Sequence, residues 1–348
     1  HYIWTITEIL SNISYNLNML DKLNRPLHDL RISVTDKCNF RCTYCMPKEI
    51  FNSKYKYLNK EKLLSFDEIV HIVKIFKSLG VEKIRLTGGE PLLRKEIEKL
   101  IEKIANVGFK DITLTTNGAL LSKKAQLLRD AGLNRVTVSL DSLNDATFQK
   151  MNDVKFPVKK VLEGIEKAHE VGLGPIKVNM VVKKGVNESE IIPMVTYFHK
   201  TPFILRFIEF MDVGSTNGWN LDSVLPSEEI VNIIKTKFAI TPSKSNYKGE
   251  VARRWKFDNF DNEVGFISSV TQAFCSDCSR IRISADGKLY TCLFATRGLD
   301  IKSLIRSGES VDEVIKNLWI NRVDKYSEIR TIETRGLRKK VEMSYIGG

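Results

Sequence analysis

The sequence predicts an α/β protein, a parallel sheet with helices packed outside it. Two observations carry that prediction. Six short runs rich in β-branched residues recur at regular intervals, and segments with apolar residues at helical spacing separate them. A chain of 348 residues with 43% hydrophobic content is also long enough to bury a large core, expected as one large domain plus a smaller one. Periodicity alone does not choose between an open sheet and a barrel.

The expected strands, in order, are LRISVT (30–35), KIRLTG (83–88), DITLTTN (111–117), RVTVSLD (135–141), IKVNMVV (176–182) and ILRFIEFM (204–211). The first helix, SFDEIVHIVKIFKSLG, has Ser65 as N-cap, Glu68 three residues on, and Gly80 as its stop. LLRKEIEKLIEKIANVG keeps helical spacing and also stops at a glycine. SKKAQLLRDAG and VKKVLEGIEKAHEVG repeat the pattern, and ESEIIPMVTYFHK continues it with an early proline.

Composition sets the outer bounds. The formal charge of +12 and a pI near 9.3 favour anionic partners, although lysine is spread along the chain and a lysine-rich composition explains the excess equally well. No apolar run reaches membrane-spanning length. Residues 1–18 lack the basic start and apolar stretch of a signal peptide, so the cytoplasm is the expected compartment. Met19 opens a more typical start, which sets 1–18 apart as an N-terminal extension of doubtful status.

The six cysteines fall in two windows: Cys38, Cys42 and Cys45, then Cys275, Cys278 and Cys292. A disulfide framework suits a small secreted domain, not a chain this long. Two metal-type sites are the better account. Structural zinc takes four Cys or His ligands, and of the five histidines only His28 is close in sequence to either window. Zinc stays open, because spatial neighbours can supply a ligand. Three thiolates also suit an iron–sulfur cube with one iron left free.

Parallel sheets place function at the C-terminal ends of their strands. Cys38–Cys45 follow the first strand, Thr87–Pro91 end the second, Thr115–Gly118 the third, Ser139 and Asp141 the fourth, and Glu209–Met211 the sixth. Arg31, Arg85, Lys177 and Arg206 alternate with apolar neighbours. Inward-facing cations are costly without an anion, and Asp141 and Glu209 are alternative partners for them. Near the C-terminus RIRIS, Asp286–Gly287 and KLYTCLF read as a β-hairpin that returns Cys292 toward Cys275 and Cys278. Arg280 and Arg282 then share a face suited to a triphosphate. VARRWKF (251–257) reads as a β-ribbon, RGLRKK (335–340) as a solvated face, and Asn24 as a residue tolerant of left-handed backbone.

C-x3-C-x2-C after the first strand, with Tyr44 before its last cysteine and a GGEP loop beyond, resembles the radical S-adenosylmethionine superfamily. RISVTDKCNFRCTYCMP, KIRLTGGEPLLR, LTTNG, RFIEFM, FCSDCSRIRISADGKLYTCLF and the terminal YIGG narrow the resemblance. Within the superfamily the chain is similar, over about residues 20–348, to the family that cyclises GTP at the first step of molybdenum cofactor biosynthesis.

The resemblance implies an incomplete (β/α)6 TIM-like barrel over 19–212 and a C-terminal α+β domain over 213–348 that carries a second iron–sulfur cluster. Cys38, Cys42 and Cys45 would hold a [4Fe–4S] cluster whose open iron takes S-adenosylmethionine, with Tyr44, Gly89, Ser139 and Met211 contacting that cofactor. Cys275, Cys278 and Cys292 would hold a second [4Fe–4S] cluster facing the guanine base. Arg31, Arg85, Thr115, Lys177, Arg280, Ile281 and Arg282 would bind GTP, and Gly347 and Gly348 would reach the active site and support radical transfer. A 5′-deoxyadenosyl radical is expected to abstract the ribose 3′-hydrogen, and the carbon radical to attack C8, giving (8S)-3′,8-cyclo-7,8-dihydroguanosine 5′-triphosphate. Implied partners are GTP, a flavodoxin- or ferredoxin-like electron donor and a downstream cyclic pyranopterin monophosphate synthase; no membrane is involved, and a homodimer is allowed. Two alternatives remain: a radical enzyme with an auxiliary cluster that modifies a peptide or RNA, and a non-catalytic metal-bearing nucleic-acid-binding protein.

Overall fold

Alternation along the six predicted strands decides which face is core. In the computed structural model, which describes residues 19–247, 249–329 and 340–348, Leu30, Ile32, Ile84, Leu86, Ile112 and Leu114 point one way and are fully buried. Arg31, Arg85 and Thr115 point the other way and line a cavity. The strands are β1 (Asp29–Ser33), β2 (Lys83–Thr87), β3 (Asp111–Thr116), β4 (Arg135–Ser139), β5 (Lys177–Val182) and β6 (Ile204–Glu209). Each pairs in parallel with the next. Most end one or two residues earlier than the sequence suggests, because the chain leaves the ladder to form the site loops. The N-terminal extension, and residues 335–339 of the basic RGLRKK stretch, lie outside the described residues.

Five helices join these strands: α1 (Phe66–Ser78), α2 (Ile97–Asn106), α3 (Leu121–Asp130), then α4 (Asp145–Asn152) and α5 (Val158–Glu170) in tandem. A sixth, α6 (Ile191–Phe198), precedes β6. Ser65 caps α1 as its sequence predicts: its Oγ accepts from the Glu68 N–H at 3.1 Å, and Glu68 accepts from the Ser65 N–H at 2.7 Å. The α2 segment starts later than its periodicity suggests. Pro91–Leu93 instead form a 3-10 turn that the Glu90 carboxylate caps at the Leu92 N–H, 3.0 Å away. Helix α4 is an element the strand–helix alternation did not call for; Asn144 caps it at the Thr147 N–H, 3.1 Å.

The C-terminal third extends the same sheet at both edges. After α7 (Ser227–Lys235), strands β7 (Ile240–Ser243), β8 (Arg253–Phe257) and β9 (Glu263–Ile267) form an antiparallel ribbon, and β9 runs parallel to β6. At the other edge β10 (Arg280–Ile283) pairs in parallel with β1, and β11 (Lys288–Tyr290) and β12 (Leu299–Asp300) follow antiparallel. The order is β12-β11-β10-β1-β2-β3-β4-β5-β6-β9-β8-β7. The six βα strands thus form an unclosed barrel, and the C-terminal α+β region continues its sheet. Helices α8 (Ile301–Arg306), α9 (Asp312–Ile320), α10 (Tyr326–Ile329) and α11 (Met343–Ile346) complete the described chain. Asn24 does adopt left-handed backbone, φ 57°.

Candidate active site

One cavity of about 310 Å³ opens on the inner face of the sheet, and all six cysteines line it. The first three sit on the loop after β1. Gly89 holds that loop in place: its N–H donates to the Thr35 carbonyl at 2.8 Å, and a side chain there would run into the Lys37 backbone. Close approach of two backbones is therefore the reason for glycine in GGEP. Burial and the neighbouring Glu90 push the Cys38 thiol up to about 11, and burial, with Asp141 behind it, raises the Cys42 thiol as well. Tyr44 donates to the Asp141 carboxylate at 2.8 Å, and Asp141 also accepts from the Val181 N–H at 2.9 Å. Burial nevertheless holds the Asp141 carboxyl up at about 6.

The second triad is assembled by the predicted hairpin. Cys275 and Cys278 precede β10, and Cys292 follows β11, which pairs back through Arg282–Tyr290 and Ile283–Leu289. Burial works against a Cys278 thiolate, yet Arg280 and Arg322 pull the thiol down to about 6. Arg280 and Arg322 donate to its Sγ at 3.3 and 3.2 Å.

Between the triads lies a row of cations. Cross-strand register sets Arg282 beside Arg31 and Arg31 beside Arg85. Burial lowers the Arg31 and Arg85 guanidiniums, and the mutual repulsion of the arginines deepens the drop at Arg31. Burial and Arg206 depress Lys177 to about 7. Their contacts are neutral: Arg85 donates to Thr115 and Thr137 hydroxyls at 2.9 and 3.2 Å, Arg206 to Asn179 at 2.9 Å, and Arg282 to the Gly347 carbonyl. The carboxylates weighed as partners are engaged elsewhere. Asp141 serves Tyr44, while Glu209 accepts from the N–H groups of Ser227, Val270 and Thr271 at 2.8–2.9 Å, pinning α7 and the loop toward Cys275 onto the end of β6. Losing Glu209 would leave those donors unpaired, at about 1–3 kcal/mol each.

Ser139, Met211, Thr115 and Gly348 also line the cavity. The Thr87 hydroxyl donates to Gly348 at 3.4 Å, so the chain end lies inside the site. Two expected residues are placed differently. Gly347 stands behind the lining and reaches it through its carbonyl to Arg282. The Ile281 side chain points away into the core and is fully buried, as strand alternation between Arg280 and Arg282 requires; only its backbone is left for a ligand. Sequence reasoning missed Lys83, Tyr247, Glu250 and Arg322, which the fold brings to the same cavity. Only Lys83 carried a signal, since it precedes Arg85 by one alternation.

The donor sets fit iron–sulfur clusters. The first is three free thiols in one loop, and the second three thiols brought together by the β10–β11 hairpin with guanidiniums at one sulfur.

A partial βα barrel with a three-thiol loop after its first strand, facing a cavity with cationic side chains in its lining, matches the arrangement of a radical S-adenosylmethionine enzyme. Residues 32–198 match the radical SAM superfamily, and residues 203–328 match the Molybdenum Cofactor Synthesis C family. GTP 3′,8-cyclase of Staphylococcus epidermidis is 50% identical over 335 residues, 94% of this chain and 98% of that protein. The Staphylococcus aureus enzyme of the same name (strain MRSA252) is 49% identical with the same coverage. This chain belongs to the GTP 3′,8-cyclase family. Its fold also resembles Streptococcus suis SuiB bound to S-adenosylmethionine, with a TM-score of 0.63 at 15% identity, over 99% of this chain and 79% of that one. The family's cofactors are S-adenosylmethionine and two [4Fe–4S] clusters, and this chain carries two triads of free cysteines in one cavity.

Proposed function

We propose that this protein converts GTP to (8S)-3′,8-cyclo-7,8-dihydroguanosine 5′-triphosphate, the first step of molybdenum cofactor biosynthesis. The observation that carries the reading is the in-register row Arg282, Arg31 and Arg85 set between two cysteine triads in one cavity. Adjacent like charges on a sheet repel, and a triphosphate relieves all three at once. When bound, the first cluster and S-adenosylmethionine supply a one-electron cleavage that yields a hydrogen-abstracting 5′-deoxyadenosyl group.

The chain's own residues bind and orient. Tyr44, Gly89, Ser139 and Met211 form the S-adenosylmethionine side of the cavity. Arg31, Arg85, Thr115, Lys177, Arg280 and Arg282 form the GTP side, with the Ile281 backbone between two of them. Gly347 anchors the tail on Arg282, and Gly348 helps close the space where the ribose would lie, which keeps water from a radical. The hydrogen lost from C3′ leaves on 5′-deoxyadenosine, and an electron and a proton return to the ring, so the product is an isomer of GTP. The electrons call for a flavodoxin- or ferredoxin-like donor, and the product for a cyclic pyranopterin monophosphate synthase. A cytoplasmic location and a homodimer complete the reading; among the described residues no helix is long and apolar enough to cross a membrane.

The test is anaerobic turnover of the reconstituted protein with S-adenosylmethionine, a reductant and 3′-deuterated GTP. The expected result is deuterated 5′-deoxyadenosine with a GTP-isomeric product. A chain lacking Gly347 and Gly348 should hold both clusters and make no product. Release of unlabelled 5′-deoxyadenosine with GTP intact would overturn the assignment.

A further inference from the structure

The second cysteine triad rests on a buried charged floor, built from Arg25 and Asp21 behind the cavity and from Arg322 and Asp324 at its edge. Arg322, 4% exposed, donates Nη1 to the Cys278 carbonyl at 2.6 Å and Nη2 to the Cys278 Sγ at 3.2 Å. Its Nε reaches Asp324 at 3.3 Å, Asp21 Oδ2 lies 3.6 Å from its Nη1, and its plane sits 4.6 Å over the Trp319 ring. Beside it Arg25, 1% exposed, pairs with Asp21 at 2.6 Å and donates to the carbonyls of Cys275 and Asp324, each at 2.7 Å. Residues from both ends of the chain thus grip the backbone of two cluster ligands. Arg280 approaches the same sulfur from the cavity, at 3.3 Å.

We propose that Arg322 positions Cys278 and sets the reduction potential of the second cluster, raising it through a charged hydrogen bond to the ligand sulfur, with Asp21 as the opposing charge. The inference rests on the reading of Cys275, Cys278 and Cys292 as ligands of a [4Fe–4S] cluster. The reduced cluster carries one more negative charge than the oxidised one. A buried cation hydrogen-bonded to its sulfur therefore favours the reduced state, and low local dielectric amplifies the effect. Asp21, held against Arg25 and Arg322 with a fully buried side chain, acts with the opposite sign. Arg280 shares the sulfur but also faces the substrate; Arg322 turns most of its donors away, to Asp324 and the Cys278 carbonyl.

The experiment is a potentiometric titration of the anaerobically reconstituted full chain, followed by electron paramagnetic resonance without GTP. The second cluster is the component whose spectrum GTP perturbs and S-adenosylmethionine does not. Arg322→Gln should lower its midpoint, Arg322→Lys should lower it less, and Asp21→Asn should raise it. The S-adenosylmethionine-responsive component should stay in place. Equal midpoints for the wild type, Arg322→Gln and Asp21→Asn, at full iron content, would overturn the proposal. Should Arg322→Gln load only about four irons, Asp21→Asn decides, and an unmoved or lowered midpoint there overturns it. A wild-type chain that loads only about four irons would remove the cluster reading of the triad itself, a distinct failure.

Discussion

Lys177 shows what the cation row does to a single residue. Burial, then Arg206, Arg135 and Lys83 among its neighbours, depress its ammonium to about 7, so at pH 8 it is mostly neutral. A triphosphate laid against it favours the charged form and raises that value. GTP binding at pH 8 should therefore take up a proton, and affinity should fall as pH rises through 7 toward 9. Calorimetry in buffers of different ionisation enthalpy measures the uptake directly. Lys177→Met should reduce it, leaving the share of Lys83, which burial lowers to about 8 in the same cavity, and undiminished uptake in that variant would assign it to another group. Arg85 and Arg206 are ordinary strand residues locally; their stems lie along the sheet while their heads meet Thr115, Thr137 and Asn179 hydrogen-bonding groups. That contact list was not legible in the sequence. The inward direction was, because Ile84 and Leu86 flank Arg85 and must face the helices.

The loops after β1 and β2 act as one unit, locked by Gly89 N–H to Thr35 and Glu90 N–H to Lys37, both 2.8 Å. Gly88, at φ 150°, turns the chain so that this lock can form. A methyl at Gly89 would meet the Lys37 carbonyl, which is backbone and cannot swing aside. Gly89→Ala should thus displace the first thiol loop and leave the second triad alone. Iron should drop from about eight to about four per chain, with loss of S-adenosylmethionine binding in equilibrium dialysis. Full iron and normal binding would mean that the two loops can part at little cost. Elements of this kind were readable where local chemistry specifies them: the Ser65–Glu68 box, the Asp286–Gly287 turn and the β-branched strands. Helix α4 was not read because its short, mostly polar run DATFQKMN offers few apolar positions from which to take a period, unlike the equally short IIPMVTYF of α6. Strand β12 has two residues and exists only because β11 offers an edge.

At the scale of the molecule, the second cysteine site depends on residues about 250 to 300 positions apart in sequence, such as Arg25 with Cys275 and with Asp324. No local motif announces such a contact; only the pairing of β10 with β1 creates it. The same pairing bears on how the two regions fold. A barrel of residues 19–212 taken alone would expose the β1 edge that β10 covers and the β6 edge that β9 covers. Those are central strands that turn Leu30, Ile32, Leu205 and Phe207 into the core, with Glu209 at the end of β6 the single charged side chain on that face, less than natural edges use for protection. Arg25 would also lose its Cys275 and Asp324 acceptors, and Glu209 its Ser227, Val270 and Thr271 donors. Each loss removes hydrogen bonds to a charged group, worth about 1.5–3 kcal/mol apiece, against a whole-domain stability of about 5–15 kcal/mol. The 19–212 fragment should therefore aggregate or show no cooperative thermal transition by circular dichroism, while the full chain melts cooperatively. Co-expression with residues 213–348 should rescue it if the edges alone are at fault. A monomeric, cooperatively folding 19–212 fragment would mean that the barrel region is an independent domain, with the C-terminal strands added to a sheet already stable without them.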